Sequence, residues 1–202
     1  MKKIVCVILA LCFALMLASC GKSSGESSDA PETTQEDFSS RTIVRFTLES
    51  GETFDIALYP EHAPKTVENF LNLVNSGAYD GVIFHRVVDN FVAQAGAVEP
   101  SGRMRQADRI EGEMMANGYE NPMKHERGVV SMARVGNDYN SASNQFFICY
   151  GTIDYLDGEY AAFGKVIDGM DVIDSFQKVE KVSGSSPVEP IIIEKAEVVS
   201  YE

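Results

Sequence analysis

Alternating apolar and polar residues predict a β-hairpin near the start of the folded part of the chain. The alternation runs from Thr42 to Leu48 and resumes from Phe54 to Leu58. The polar stretch Glu49-Ser50-Gly51-Glu52 separates the two runs. Two period-2 runs across a glycine-containing turn are typical of antiparallel strands, so we predict a hairpin here.

The apolar spacing then changes to that of a helix. Between Val67 and Val74, apolar residues recur at i, i+3, i+4 and i+7. Pro64 lies where a first helical turn tolerates proline, and Gly77 lies where a helix commonly ends. We therefore predict an amphipathic helix between these two residues, and a second helical pattern runs from Asp168 to Val179.

The rest of the chain is dominated by short apolar runs that predict strands. Strands and helices do not alternate regularly along the chain. The stretch from Ala95 to Arg127 is irregular and contains glycines. Many strands with two helices favour an antiparallel barrel or sandwich over a doubly wound sheet. The predicted strands are Val82–Val88, Gly128–Ala133, Gln145–Tyr150, Ala161–Val166 and Ile191–Val199.

The N-terminus has the pattern of an export signal. Two lysines precede the apolar run Ile4–Ala18, which is shorter than the roughly 20 residues of a membrane-spanning helix. The run ends in Leu17-Ala18-Ser19-Cys20, which resembles the lipobox of bacterial lipoproteins. That resemblance implies cleavage before Cys20 and a lipid on its thiol. The alternatives are an ordinary signal peptide with an accidental cysteine, or an uncleaved anchor.

The segment after Cys20 predicts a flexible linker. Gly21 to Ser40 is rich in Ser, Thr and Glu with a single aromatic residue, so it buries too little apolar surface to fold. Twenty such residues span roughly 25 Å root-mean-square. We predict a signal peptide at 1–19, a lipidated cysteine and acidic linker at 20–40, and one folded domain at 41–202.

The charge balance excludes two classes of partner. Residues 1–19 hold two lysines and no acid, so 15 basic residues face 30 acidic ones in the remainder. Nucleic-acid binding needs lysine and arginine to neutralise phosphates, and docking on an anionic lipid surface needs the same. We therefore predict no nucleic-acid partner.

Cysteine usage predicts a domain without a disulfide. Cys6 and Cys12 lie in the signal and Cys20 would carry lipid, which leaves Cys149 alone. Cys149 lies in an apolar run with no adjoining basic residue, so we interpret it as a buried hydrophobic residue and not as a reactive thiol.

Motifs for metal binding, hydrolysis and phosphate transfer are missing from the sequence. His62, His85 and His125 are far apart, without an HExxH pattern, and neither GxSxG nor a phosphate-binding glycine loop occurs. We therefore predict neither a metal nor a cofactor.

The segment from Phe84 to Gly96 carries the strongest functional signal. Arg86 lies among apolar residues of a predicted strand, where arginine needs a partner or a function. Six short motifs follow one another along the chain: Phe-His-Arg at 84–86, Phe-x-x-Gln-x-Gly at 91–96, Ser-Met-Ala at 131–133, Gln-Phe-Phe-Ile at 145–148, Leu-Asp-Gly at 156–158 and Phe-Gly-Lys-Val at 163–166. Through these motifs the chain resembles the cyclophilin-type peptidyl-prolyl isomerases over about residues 41–200.

The resemblance implies a mainly β fold, a closed eight-stranded antiparallel barrel capped by two α-helices. It also implies that Arg86 is the catalytic residue of proline cis-trans isomerisation, without cofactor or metal. Tyr155 stands where tryptophan is usual and Tyr160 where histidine is usual, and both keep an aromatic body with a polar tip. The implied substrate-binding residues are His85, Phe91, Val92, Gln94, Ala133, Gln145, Phe147, Tyr155, Leu156 and Tyr160.

Signal and resemblance together predict a monomeric folding enzyme outside the cytoplasm, anchored to the bacterial cell membrane through the lipid on Cys20. Its expected partners are unfolded or exported polypeptides that contain proline. Two alternatives remain open, a binding module that captures proline segments without turnover and a surface adhesion protein. The intact Arg86 favours the enzyme, because a non-catalytic relative could lose that residue.

Overall fold

The structure, a computed structural model, describes residues 37–200. The predicted signal peptide, Cys20 and the linker as far as residue 36 lie outside the described residues. Within residues 37–200, no helix is long and apolar enough to cross a membrane.

The described chain folds into ten strands and two α-helices, with short 3-10 turns between some of them. The predicted hairpin and the first helix are confirmed, and most predicted strands agree with the observed ones to within two residues. The elements are β1 (Ile43–Leu48), β2 (Thr53–Leu58), α1 (Pro64–Asn75), β3 (Arg86–Val88), β4 (Val92–Ala95), β5 (Val129–Met132), β6 (Phe146–Cys149), β7 (Ala162–Asp168), α2 (Met170–Ser175), β8 (Lys181–Val182), β9 (Ser186–Pro187) and β10 (Ile193–Val199).

Eight of the strands form one antiparallel sheet in the order β10-β1-β2-β7-β5-β6-β4-β3. Strands β8 and β9 form a separate two-stranded ribbon. The sheet curls around the core as an open half-barrel with β10 and β3 at its edges. The predicted mainly β fold with eight strands and two helices is therefore confirmed.

The prediction of a closed barrel is wrong. Of the predicted strand Val82–Val88, only β3 forms, and the segment before it meets the segment before β10 through a single bridge, Ile83 to Ile192. Three backbone hydrogen bonds accompany this bridge, from Gly81 to Ile193, from Phe84 to Ile191 and from Ile193 to Val82. Pro190, next to this segment, has no N–H to donate, and in the described structure the pairing extends no further, so no continuous ladder joins the two edges.

Helix α1 packs an apolar face against the sheet. Its residues Val67, Phe70 and Val74 are buried, and Gly77 follows its end with a φ of +69°. The side chain of Glu113, from the irregular middle of the chain, accepts hydrogen bonds from the first backbone N–H groups of this helix. The carboxylate thus satisfies donors that have no partner within the helix.

The core inside the half-barrel is rich in aromatic rings. Phe70 contacts Phe46, Tyr79, Phe146 and Phe163 with ring centroids 4.9–6.2 Å apart. These five side chains are fully buried, and tilted or edge-on ring pairs of this kind add to the stabilisation from burial.

Cys149 is a free, buried cysteine, as predicted. Burial raises the pKa of its thiol to about 12, so the thiolate does not form near neutral pH.

Two local features differ from the sequence-based expectation. Strand β4 and the ribbon of β8 and β9 were not predicted, because each is only two to four residues long. The second helical pattern, Asp168–Val179, forms α2 and then tightens into a 3-10 turn at Phe176–Lys178.

Candidate active site

Three neighbouring strands place polar and aromatic side chains in one row on the outer face of the sheet. Arg86 on β3 lies directly opposite Gln94 on β4, which in turn lies opposite Phe147 on β6. Directly opposed residues share a face of the sheet, while the alternate residues Val87 and Ala93 are buried in the core. The pairing of strands therefore assembles side chains that are 61 positions apart in the sequence.

Gly96 lets β4 come close to the segment that leads into β6. Its φ is +114°, and a Cβ atom added there would lie 2.1 Å from the carbonyl oxygen of Asn144. Only glycine fits such a backbone approach. The glycine of the Phe-x-x-Gln-x-Gly motif thus keeps Gln94 beside Gln145.

Arg86 is held by neutral groups. Its Nη1 lies 3.5 Å from Oε1 of Gln94, and Nε2 of Gln94 donates to Oε1 of Gln145 at 2.9 Å. The guanidinium carbon lies 5.7 Å from the centre of the Phe91 ring. Among residues 37–200, no carboxylate forms an ion pair with Arg86, so its positive charge is available to a bound group.

A cavity of about 170 Å³ opens beside Arg86. Its floor is apolar, because Val92, Phe147 and Leu156 are buried in a cluster with Cys149 and Ile153 behind them. The lining residues are Arg86, Phe91, Val92, Gln94, Ala133, Arg134, Phe147, Leu156 and Tyr160.

Eight of these nine lining residues were predicted as site residues from the sequence, and the structure brings them together. Three further predicted residues lie elsewhere. Gln145 lines an adjoining polar cavity of about 240 Å³ and reaches Arg86 only through Gln94. Tyr155 is 70% exposed and stacks on the outer side of Phe91, with centroids 6.1 Å apart.

His85 does not line the cavity. It is half-buried next to β3, and its Nδ1 has no hydrogen-bond partner in the described part of the chain. Burial lowers the pKa of this imidazole, so the ring is neutral near pH 7.

Arg134 is a lining residue that sequence reasoning missed. Its Nε donates to the carbonyl of Glu159 at 2.9 Å, and Nη2 pairs with the Glu159 carboxylate at 3.2 Å. Its guanidinium carbon lies 4.5 Å from the centre of the Tyr160 ring. The sequence could have indicated Arg134 through its position directly after the Ser-Met-Ala motif, at the end of β5.

The chemistry of the cavity is binding chemistry. Its lining in the described structure contains no carboxylate, imidazole or thiol that could act as a base or nucleophile. Within residues 37–200, no three His, Cys, Asp or Glu side chains cluster in a way that could hold a metal ion. What the cavity offers is a fixed cation beside an aromatic and aliphatic floor, which suits a small apolar ring next to an amide.

Comparison with known proteins agrees with this arrangement. Residues 43–198 match the family model for cyclophilin type peptidyl-prolyl cis-trans isomerase/CLD. The chain is 41% identical over 142 residues to the peptidyl-prolyl cis-trans isomerase ppi1 of Schizosaccharomyces pombe, covering 70% of this chain and 89% of that protein. It is 44% identical over 125 residues to the human peptidyl-prolyl cis-trans isomerase-like 3, covering 61% of this chain and 75% of that protein.

Solved structures show the same fold. A cyclophilin type peptidyl-prolyl cis-trans isomerase of Cryptosporidium parvum superposes with a TM-score of 0.71 at 30% identity, over 80% of this chain and 99% of that one. A second structure of that isomerase, in the presence of the dipeptide Ala-Pro, gives a TM-score of 0.69 at 30% identity, over 79% of this chain and 99% of that one.

Proposed function

The chain belongs to the cyclophilin-type peptidyl-prolyl cis-trans isomerases, and we propose that it catalyses this isomerisation with Arg86 and the apolar cavity beside it, on proteins exported from the cytoplasm. The observation that carries the mechanism is the position of an uncompensated guanidinium at the mouth of an aromatic-lined cavity. The Ala-Pro dipeptide present with the Cryptosporidium relative is consistent with a proline ring as the occupant.

The reaction requires no bond to be made or broken. Rotation about an X–Pro amide has a barrier of about 18–20 kcal/mol, set by amide resonance, and the uncatalysed exchange takes roughly 10–100 s. Acceleration by about 10⁵ to a rate near 10³ s⁻¹ requires about 7 kcal/mol of transition-state stabilisation. A site without base, nucleophile or metal can supply this through electrostatics and positioning alone.

Arg86 is suited to the electrostatic part. In the twisted transition state the proline nitrogen loses its conjugation and becomes a hydrogen-bond acceptor. A permanently charged donor aimed at that nitrogen stabilises the transition state more than either planar ground state. Other preorganised donors of this kind supply about 3–4 kcal/mol. Gln94, itself fixed by Gln145, limits the motion of the guanidinium before the substrate arrives.

The cavity is suited to the positioning part. Phe91, Phe147 and Leu156 offer flat and branched apolar surfaces to a five-membered ring. A ring fixed there would leave the preceding carbonyl to rotate past Gln94 and Ala133. Holding one side of the bond still lowers the entropic cost of reaching the twisted geometry.

A coupled assay tests the proposed function. In that assay a protease cleaves only the trans form of an Ala-Pro peptide, so the isomerisation rate is read from release of the product. We expect Arg86→Ala to lower the rate at least tenfold while the circular dichroism spectrum stays unchanged. Arg103→Ala is the matched control, because the side chain of Arg103 is 73% exposed, pairs with Glu99 and does not line the cavity. A folded Arg86→Ala variant with full activity would refute the mechanism.

We propose from the N-terminal sequence that the enzyme acts outside the cytoplasm. The lysine-led apolar run and Leu17-Ala18-Ser19-Cys20 support export and attachment to the membrane through a lipid on Cys20. The linker would hold an acidic domain away from the membrane surface. The substrates would then be proline-containing polypeptides that fold outside the cytoplasm, with the enzyme acting as a monomer.

A further inference from the structure

A buried hydrogen-bonded chain of Asp157, His125 and Ser131 lies behind the candidate active site. Nδ1 of His125 lies 3.1 Å from Oδ1 of Asp157, and Nε2 lies 3.0 Å from Oγ of Ser131. The backbone N–H of His125 also donates to Oδ1 of Asp157 at 2.7 Å. A neutral ring that donates from Nδ1 to the carboxylate and accepts at Nε2 from the serine hydroxyl satisfies every one of these groups.

The order of residues resembles that of a nucleophilic triad, but the serine cannot meet a substrate. Ser131 lies within β5 and is fully buried, and the side chain of His125 has no exposed surface. Neither residue lines the cavity. A substrate acyl group cannot reach a buried hydroxyl inside a strand, so Ser131 is not a nucleophile. The hydrogen-bonded chain can affect catalysis only through the side chains that it contacts.

His125 contacts two walls of the cavity directly. Its ring stacks on Phe147 with centroids 6.0 Å apart and planes 21° apart. It meets Tyr160 edge-on at 6.5 Å, and Phe147 and Tyr160 meet each other edge-on at 5.6 Å. The imidazole therefore forms the back of the aromatic part of the cavity.

The two hydrogen bonds of the ring reach the elements that carry the remaining walls. Ser131 lies directly opposite Phe147 in the pairing of β5 and β6. Asp157 directly follows the 3-10 turn Asp154–Leu156, which carries Leu156 into the cavity. A ring fixed at both nitrogens thus links this turn to β5, the strand that pairs with β6 at Phe147.

We propose that His125 is a positioning residue for the isomerisation: held between Asp157 and Ser131, it fixes Phe147 and Tyr160 so that the bound proline ring stays aligned with Arg86. The inference rests on the proposed function, because it assigns His125 to the same cavity. A loosened wall would still bind a proline ring, but it would present the rotating bond to the guanidinium less accurately. The loss is expected in kcat more than in peptide affinity.

Burial favours a neutral imidazole at His125, whereas the neighbouring Asp157 carboxylate opposes it. The ring faces Asp157 on one side and Ser131, Phe147 and Tyr160 on the others, and Lys124 pairs with the outer oxygen of Asp157 at 3.3 Å. Burial lowers the pKa of His125, partly opposed by its bond to Asp157. The tautomer required by the hydrogen bonds is thus the form present near pH 7.

The test uses the full-length chain and separates positioning from stability. Ser131→Ala removes one hydrogen bond, His125→Phe keeps an aromatic ring but removes both, and the double variant combines them. We expect kcat at 10 °C to fall two- to fivefold in Ser131→Ala and at least fivefold in His125→Phe. The double variant should be no slower than His125→Phe, because both changes break the same chain. The dissociation constant of an Ala-Pro peptide, measured by NMR titration, should change less than twofold.

Val74→Ala is the matched control for a purely structural effect. Val74 is buried in α1, away from the cavity, so its truncation lowers the melting temperature but should leave kcat at 10 °C unchanged. The inference is overturned if Ser131→Ala and His125→Phe are folded and each has a kcat within twofold of the wild-type value. If His125→Phe does not fold, Ser131→Ala and Asp157→Asn decide it on the same criterion.

Failure of the inference can be told apart from failure of the proposed function. A wild-type chain that does not accelerate isomerisation at all overturns both. Active His125 and Ser131 variants beside an inactive Arg86→Ala overturn only the positioning role.

Discussion

At the scale of single residues, we propose that the chemistry depends on the guanidinium of Arg86. A guanidinium group is positively charged throughout the physiological range. No carboxylate, imidazole or thiol lines the cavity in the described structure. Catalysis by such a group differs from acid–base catalysis in one measurable respect, its response to pH.

We predict a rate that is nearly constant from about pH 6 to 8. Burial lowers the pKa of both His85 and His125 below the ordinary 6.5, so these rings become protonated at a lower pH than an ordinary histidine. Measurement of kcat/KM at half-unit intervals checks this, and a bell-shaped profile centred inside the window would point to a general base instead.

The same histidines predict how stability depends on pH. Their pKa is lower in the folded protein than the ordinary 6.5, so the unfolded chain binds protons first as the pH falls. The stabilisation is fully present above about pH 6.5 and is lost as the pH falls from there toward the folded-state values. Urea unfolding at pH 7.5 and pH 5.5 should therefore give the lower free energy of unfolding at pH 5.5, and equal values would contradict the assigned burial.

At the scale of elements, helix α1 depends on a residue far from it in the sequence. The carboxylate of Glu113 accepts from the backbone N–H of Lys65 at 3.0 Å and from N and Oγ of Thr66 at 2.8 and 2.7 Å. Glu113 is 1% exposed. The helix has no capping side chain of its own, since its N-cap residue is Ala63.

We therefore predict that Glu113→Ala lowers the free energy of unfolding by about 1–3 kcal/mol, because it leaves buried donors without a partner. The measurement is equilibrium unfolding in urea. Glu111→Ala is the matched control, since that carboxylate is exposed and pairs with the exposed ammonium of Lys65, and the unfolding midpoint should not change. Equal effects of the two substitutions would argue against the cap.

The elements also show what the sequence could predict. Long regular patterns were sufficient for β1, β2 and α1, because hydrophobic periodicity is a local property. Strand β4 has only four residues, and the register that sets Arg86 beside Gln94 and Phe147 depends on contacts between distant segments. The motifs identified most of the lining residues through family resemblance, whereas no periodicity indicated the open edge between β3 and β10 or the inward position of Arg134.

At the scale of the whole molecule, the acidic net charge bears on how the protein could be attached to a membrane. The chain after residue 19 has twice as many acidic as basic residues, so its surface would not adhere to an anionic membrane. In the proposed lipoprotein, a lipid on Cys20 would supply the attachment and the linker would separate the domain from the bilayer. Cys20 itself lies outside the described residues.

We predict that Cys20→Ser moves the protein from the membrane fraction to the soluble fraction or leaves an uncleaved precursor. The measurement is fractionation followed by mass spectrometry of the N-terminal peptide, which should carry acyl chains only in the wild type. The matched control is Cys12→Ser, a change inside the predicted signal. Unmodified Cys20 in a membrane-bound wild type would contradict the lipoprotein assignment.

The central claim is that Arg86 accelerates rotation about the X–Pro bond, and NMR exchange spectroscopy measures that rotation directly at equilibrium. The experiment compares cis-trans exchange of one Ala-Pro peptide with the wild-type chain, Arg86→Lys and Arg86→Ala. We predict exchange faster than the uncatalysed rate by several orders of magnitude for the wild type, and at least tenfold slower for both variants, since a lysine cannot reproduce the planar guanidinium donor. Bound peptide without accelerated exchange in the wild type, or equal exchange in all three proteins, would contradict the account.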